Sequence, residues 1–284
     1  MRTGTVTLGD GRELQFYDVT PDATDHLAII WHHGSPNVGE PPAPLFEAAA
    51  ARGLRWVGYD RPGYGGSSAQ PGRSVGQAAF DAQAVADALD LERYAVLGHS
   101  GGGAHALACA ALTPDRVVAA VSMSGLAPMG ARGLDWFAGL NRGGEAELRA
   151  ATLGAAELRA HLETAEFDPS MFTDSDWALL NGEWAWFNHV VGLAEASGPE
   201  PFIDDDVASV GDWGFDPSDI RVPTLLVHGM EDRVVPAAHG RWLATRIDGA
   251  ELLEVQGAGH IGVMTAAPQA LDWIAARAAS NLEG

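Results

Sequence analysis

The chain has 284 residues, 46% of them hydrophobic, and a formal charge of −21 at pH 7. That length suits one large α/β domain with an insertion, or two small domains, with apolar content sufficient for a sizeable core. The charge argues against nucleic acid and anionic membrane surfaces as partners, and mildly against a strongly anionic substrate.

No stretch approaches the ~20 apolar residues needed to cross a bilayer. Met1–Thr7 lacks the apolar core of a secretion signal, so a cytoplasmic location is expected. Cys109 is alone, which excludes an internal disulfide and fits a reducing compartment; among Ala and Leu it reads as a buried packing residue.

In chain order, Val6-Thr7-Leu8, the turn Gly9–Arg12 and Leu14–Val19 predict strand, tight turn and strand. Leu27–His32 is a continuous apolar run of the kind buried in a parallel sheet. A helix is predicted from Pro44 to Arg52, ended by Gly53, and then a strand over Leu54–Tyr59. Asp60–Ser67 is rich in Gly and Pro, and the Asp60 carboxylate is expected to tie the amides of this loop. Apolar residues at helical spacing run from Val75 to Leu91. Tyr94–Leu97 is a strand, Gly101–Ala111 a helix and Val117–Met123 a strand.

The rhythm then breaks. From roughly Met129 to Asp216 there is no convincing buried strand; Glu145–Leu153 and Ala155–Thr164 look helical, and Asp204-Asp205-Asp206 reads as a solvated turn. The alternation resumes with a strand at Thr224–His228, a helix at Gly240–Ile247, a strand at Glu251–Val255 and a closing helix at Pro268–Ala279. The expected fold class is therefore α/β, a mostly parallel sheet with helices on both faces. Residues 1–128 and 217–284 would form the core, and 129–216 a helical cap over the C-terminal edge of the sheet.

The chemistry centres on Gly98-His99-Ser100-Gly101-Gly102, set between the Tyr94–Leu97 strand and the helix from Gly101. A Gly-x-Ser-x-Gly turn between strand and helix strains the serine backbone and lifts its hydroxyl above the sheet edge. The bare motif proves little: Gly72-Arg73-Ser74-Val75-Gly76 also fits, but follows a polar loop, and Ser74 reads as a helix N-cap. A serine hydroxyl needs a general base, itself oriented by an acid, in the order Ser, Asp or Glu, His for this kind of turn. Asp232 follows the Thr224–His228 strand, with Glu231 its nearest rival, and His260 follows the Glu251–Val255 strand. Ser100, Asp232 and His260 thus fall after carboxyl ends of parallel strands, where open α/β sheets place their chemistry. The backbone N–H of Gly101, opening a helix, and that of Ser35, after the third strand, are the candidate oxyanion donors.

Taken in order, His33-Gly34-Ser35-Pro36, Asp60-Arg61-Pro62-Gly63-Tyr64-Gly65-Gly66-Ser67, Gly98–Gly102, Gly229-x-x-Asp232-x-x-Val235-Pro236 and Gly259-His260 give the chain a marked likeness to one family. It resembles the α/β-hydrolase fold superfamily from about Leu14 to the C-terminus, outside the insertion. The resemblance implies Ser100, Asp232 and His260 as a triad, and Ser35 and Gly101 as oxyanion donors. A serine at the nucleophile position disfavours the haloalkane dehalogenase and epoxide hydrolase branches. Gly-Ser-Pro stands where proline iminopeptidases usually carry Gly-Gly-Pro-Gly.

The expected function is a serine hydrolase cleaving a carboxylic ester of a small, largely apolar substrate through an acyl-enzyme, with no cofactor or metal. The alternatives are another triad enzyme of the fold (aminopeptidase, lactonase, carbon–carbon bond hydrolase or acyltransferase) and a non-hydrolytic ligand-binding member. Among the aromatic residues of the insertion, Trp184 and Phe187, three apart, are the candidates for facing the substrate pocket. Oligomeric state is left open.

Overall fold

The computed structural model describes residues 1–280. An eight-stranded sheet runs through the molecule in the order β1-β2-β4-β3-β5-β6-β7-β8. β1 (Arg2–Thr7) and β2 (Glu13–Asp18) pair antiparallel, and β2 pairs antiparallel with β4 (Leu54–Tyr59). The remaining pairings, through β3 (Leu27–His32), β5 (Tyr94–His99), β6 (Val117–Met123), β7 (Thr224–Gly229) and β8 (Glu251–Val255), are parallel.

Every residue of β4, β5, β6 and β7 is buried. This is the signature of strands covered on both faces, and it explains why their sequences are mainly apolar. Alternate side chains serve two cores. Ile29, Trp31, Leu97 and Val121 pack on one side, which α1 (Phe46–Ala50) and α10 (Ala267–Ser280) cover. Ile30, Val96, Ala120 and Leu226 pack on the other, under α2 (Gln77–Ala88), α3 (Gly101–Leu112) and α9 (Ala237–Arg246).

β3 lies between β4 and β5, so the chain leaves β3 toward one edge of the sheet and later returns through β5 toward the other. The loops beyond these two strands diverge, and the crevice they leave is where α/β sheets bind ligands.

Between β6 and β7 the chain forms helices and no strand among the described residues: α4 (Arg142–Ala151), α5 (Ala155–Leu162), α6 (Asp174–Leu180), α7 (Trp186–Glu195) and α8 (Glu200–Val210). α4, α5 and α8 share a small core of Ala150, Ala151, Leu158 and Ile203. α6 begins with a reciprocal cap between Thr173 and Asp176.

Three local expectations are corrected. The helix expected from Pro44 is a 3-10 turn, Ala43–Leu45, leading into the short α1. Ser74 is not a helix cap: α2 is preceded by Gly76, with no side-chain cap, and Ser74 contributes its carbonyl to the turn before it. The acidic triplet is not a solvated turn, because it lies in α8 with Asp205 and Asp206 buried.

Ile30 is fully buried between β4 and β5 and under the helices. Ile30→Ala is expected to cost about 2–5 kcal/mol of stability, seen as a lower urea midpoint at unchanged slope.

Candidate active site

Ser100 sits between β5 and α3 with φ 57° and ψ −128°. A non-glycine residue rarely takes that conformation, and holding it costs on the order of 1–3 kcal/mol. The flanking glycines make it feasible: a Cβ on Gly98 would collide with the Gly102 carbonyl, and one on Gly102 with the His32 carbonyl. The Gly101 N–H, first in α3, has no partner among the described residues.

Facing Ser100 is the loop after β3. A Cβ placed on Gly34 would lie 3.4 Å from Ser100 Cβ, and one on Gly101 would lie 4.0 Å from Ser35 N. Arg61 holds this loop from behind. Its guanidinium donates to the His33 carbonyl, to the Gly34 carbonyl at 2.9 Å and to Ser35 Oγ at 2.9 Å. The C=O and N–H of a trans peptide point in opposite directions. With the Gly34 carbonyl turned onto Arg61, the Ser35 N–H is turned the other way and is unpaired among the described residues. His33 adds to the clamp, accepting the Arg61 N–H at 3.1 Å on Nε2 and donating from Nδ1 to the Gly34 carbonyl at 2.7 Å.

Asp205 of α8 neutralises Arg61. It accepts from Arg61 Nη2 at 2.6 Å, from Arg73 Nη2 at 2.6 Å, from Ser35 Oγ at 2.6 Å and from the Tyr64 hydroxyl at 3.0 Å. Burial opposes its charge, but the two guanidiniums override burial and hold the carboxyl well below the usual range. Asp60 does tie its loop, accepting the Gly39 N–H at 2.7 Å and the Gly66 N–H at 3.0 Å.

On the other flank, His260 Nδ1 lies 2.8 Å from Asp232 Oδ2, both side chains being buried. Asp232 Oδ1 accepts the Val234 and Val235 N–H groups at 2.9 Å each. Burial works against ionising Asp232, yet His260, His228 and the Val235 amide keep its carboxyl below the ordinary value. An ionised Asp232 leaves His260 Nδ1 as the donor, so Nε2 carries the lone pair. His99 packs against the His260 ring, centroids 4.8 Å apart, and donates from Nε2 to the His260 carbonyl at 2.9 Å. Burial drives His99 down to about 3, so it stays neutral. Asp176 of α6 clamps the same loop, accepting the Ile261 and Gly262 N–H groups at 3.0 and 2.7 Å.

Ser35, Ser100, Gly101 and His260 all border one cavity of about 1140 Å³ between the sheet loops and the helical insertion. Among the described residues no hydrogen bond joins Ser100 to the His260 ring; such contacts are often long until a substrate tightens them. Asp232 stands behind His260 and does not border the cavity. Phe187 borders it, as do Trp177, Phe172 and Phe202. Trp184 does not: it precedes α7 and packs in the sheet core against Phe187, ring centroids 5.8 Å apart. Phe187 therefore lies at the wall with Trp184 beneath it. Cys109 is buried beside His32, and burial pushes its thiol up.

A parallel sheet with a strained serine at a strand–helix elbow defines the class, an α/β hydrolase. The chain belongs to the alpha/beta hydrolase fold family, whose profile matches residues 28–267, and is a hydrolase-family enzyme. It is 30% identical over 278 residues to a non-heme chloroperoxidase of Streptomyces lividans, covering 95% of this chain and 96% of that one. It is also 30% identical over 226 residues to a 2-hydroxy-6-oxononadienedioate/2-hydroxy-6-oxononatrienedioate hydrolase of Cupriavidus pinatubonensis, covering 75% and 72%. Among solved structures, a bromoperoxidase from Bacillus anthracis matches with a TM-score of 0.73 at 23% identity, covering 97% of this chain and 98% of that one. An enol-lactonase from Burkholderia xenovorans LB400 matches at 0.70 and 23%, covering 98% and 100%. No described helix is long and apolar enough to cross a membrane.

Asp205→Asn removes the charge that pairs two buried arginines. Stability should fall by about 3–5 kcal/mol, measured by urea unfolding. A loss under 1 kcal/mol would mean the arginines are neutralised elsewhere.

Proposed function

We propose that the protein is a serine hydrolase that cleaves a carboxylic ester of a small, largely apolar substrate by way of an acyl-enzyme. One observation carries this reading: the strained Ser100, the His260 ring backed by Asp232, and two unpartnered N–H groups are gathered at one cavity.

In this mechanism His260 Nε2 takes the Ser100 proton as Oγ attacks the ester carbonyl. Asp232 holds the ring in the required tautomer and stabilises the imidazolium. The Ser35 and Gly101 N–H groups receive the oxyanion, each donor worth about 3 kcal/mol of barrier. His260 then returns the proton to the leaving alcohol. Water attacks the acyl-enzyme by the same route and releases the acid. Every proton moves between the chain's own groups, substrate and water.

Charge favours this reading over hydrolysis of a dicarboxylate, the substrate in the name of the Cupriavidus pinatubonensis relative. Among the described residues, five carboxyl side chains border the cavity (Glu147, Glu166, Asp168, Glu195 and Asp206) against one arginine, Arg142. A dicarboxylate entering that space meets like charge.

A fluorophosphonate probe should label wild-type protein at Ser100 and leave Ser100→Ala unlabelled. Hydrolysis of p-nitrophenyl butyrate should fall at least about a thousandfold in that variant. Labelling that persists in Ser100→Ala, or butyrate hydrolysis left intact, would refute the reading.

A further inference from the structure

Successive aspartates of α8 have opposite surroundings. Asp205 is saturated by Arg61, Arg73, Ser35 and Tyr64, and Asp204 pairs with Arg73 at 3.2 Å. Asp206 has no cation beside it among the described residues. It is 8% exposed, borders the cavity, and its Oδ2 is buried with no hydrogen-bond donor. The charges that act on it are the carboxylates Glu147 and Asp205, and its carboxyl partner is Glu147 of α4, which borders the same cavity.

A buried carboxylate without a cation or donor is costly. Alone, the pair can relieve that cost only by keeping a proton. Burial and the facing carboxyl accordingly push Asp206 well above the usual range, and burial raises Glu147 to about 7. Among the described residues the chain places no cation on the pair: it contains no lysine, each buried arginine near α8 is committed to Asp204 or Asp205, and Arg142 at the cavity border acts on Asp168. Two carboxyls are too few to hold a metal ion, and no group of three or more metal-binding side chains occurs among the described residues. A primary ammonium fits better. Its compact charge and three N–H donors can satisfy two carboxyl groups at once, and the held proton leaves to solvent as it binds. The cavity that this pair and Ser100 share is also lined by apolar side chains, among them Leu148 and Phe202.

We propose that Glu147 and Asp206 form a subsite for a primary ammonium group, so that the preferred substrate joins a cationic end to the scissile ester through an apolar chain. This deepens the ester-hydrolase reading and rests on it.

The test compares p-nitrophenyl 6-aminohexanoate with p-nitrophenyl heptanoate, esters of matched length, on the full chain at pH 7. The wild type should favour the ammonium ester in kcat/KM by about tenfold or more, as expected for a hydrogen bond to a charged group. The preference should collapse in Glu147→Gln and in Asp206→Asn. Both substitutions keep side-chain shape and remove carboxyl repulsion, and melting curves check that each variant is folded. If one fails to fold, the other carries the comparison. Calorimetric titration with hexylammonium chloride supplies a readout independent of turnover, with binding expected in the wild type and lost in both variants. Equal kcat/KM for the two esters, or a preference unchanged in the variants, overturns the subsite while leaving the hydrolase reading intact. Hydrolysis of neither ester, with hexylammonium bound and the binding lost in the variants, supports the subsite and refutes the hydrolase reading. Hydrolysis of neither ester with no hexylammonium binding overturns both.

Discussion

The contact between Arg61 and Asp205 governs the shape of the cavity. Arg61 comes from the loop after β4, Asp205 from α8 of the insertion, and both side chains are 2% exposed. A buried ion pair of this kind earns its place only with full hydrogen bonding, which Arg73, Ser35, Tyr64 and two backbone carbonyls supply here. The pair does two things at once. It fastens the insertion to the sheet, and it orients the Gly34–Ser35 peptide so that one N–H is left free on the side of Ser100. A hydrophobic substitute could perform the first task, but it could not pull two successive carbonyls backward.

The opposite flank is built on the same physical logic with different groups. Asp232 is fixed by two backbone amides, and His260 by Asp232, by the His99 ring and through the Asp176 clamp on the residues that follow it. Asp176, like Asp205, belongs to the helical insertion. Two carboxylates of the insertion thus hold the two loops that face each other across Ser100, which couples the placement of those helices to the geometry of the site.

Much of this was legible in the sequence, for definable reasons. Strands buried on both faces are mainly apolar, so β3 to β7 could be read as runs, and the ends of those runs located Ser100 and Asp232, while the half-exposed β8 located His260. The Gly98 and Gly102 spacing was legible because backbone packed against backbone admits no Cβ. The clamps were not. Arg61 and Asp205 are 144 positions apart, and three successive aspartates look like a solvated run until Arg61 and Arg73 are placed against them. The Trp184 and Phe187 pair misled because a three-residue spacing implies a shared helix face only within a helix, and α7 starts at Trp186. Asp176 was not read from the sequence at all: its local cap with Thr173 and its reach to Ile261 and Gly262 both emerge only in the fold, the latter from tertiary packing alone.

The central claim is that Ser100 carries the acyl group during turnover. Rapid acid quenching of the enzyme with p-nitrophenyl acetate, followed by peptide mass mapping, tests it directly. The account predicts one acetyl group per chain, on the peptide containing Ser100, appearing and decaying at rates consistent with turnover. Turnover with no adduct on that peptide, or with the acetyl group on another residue, would contradict it.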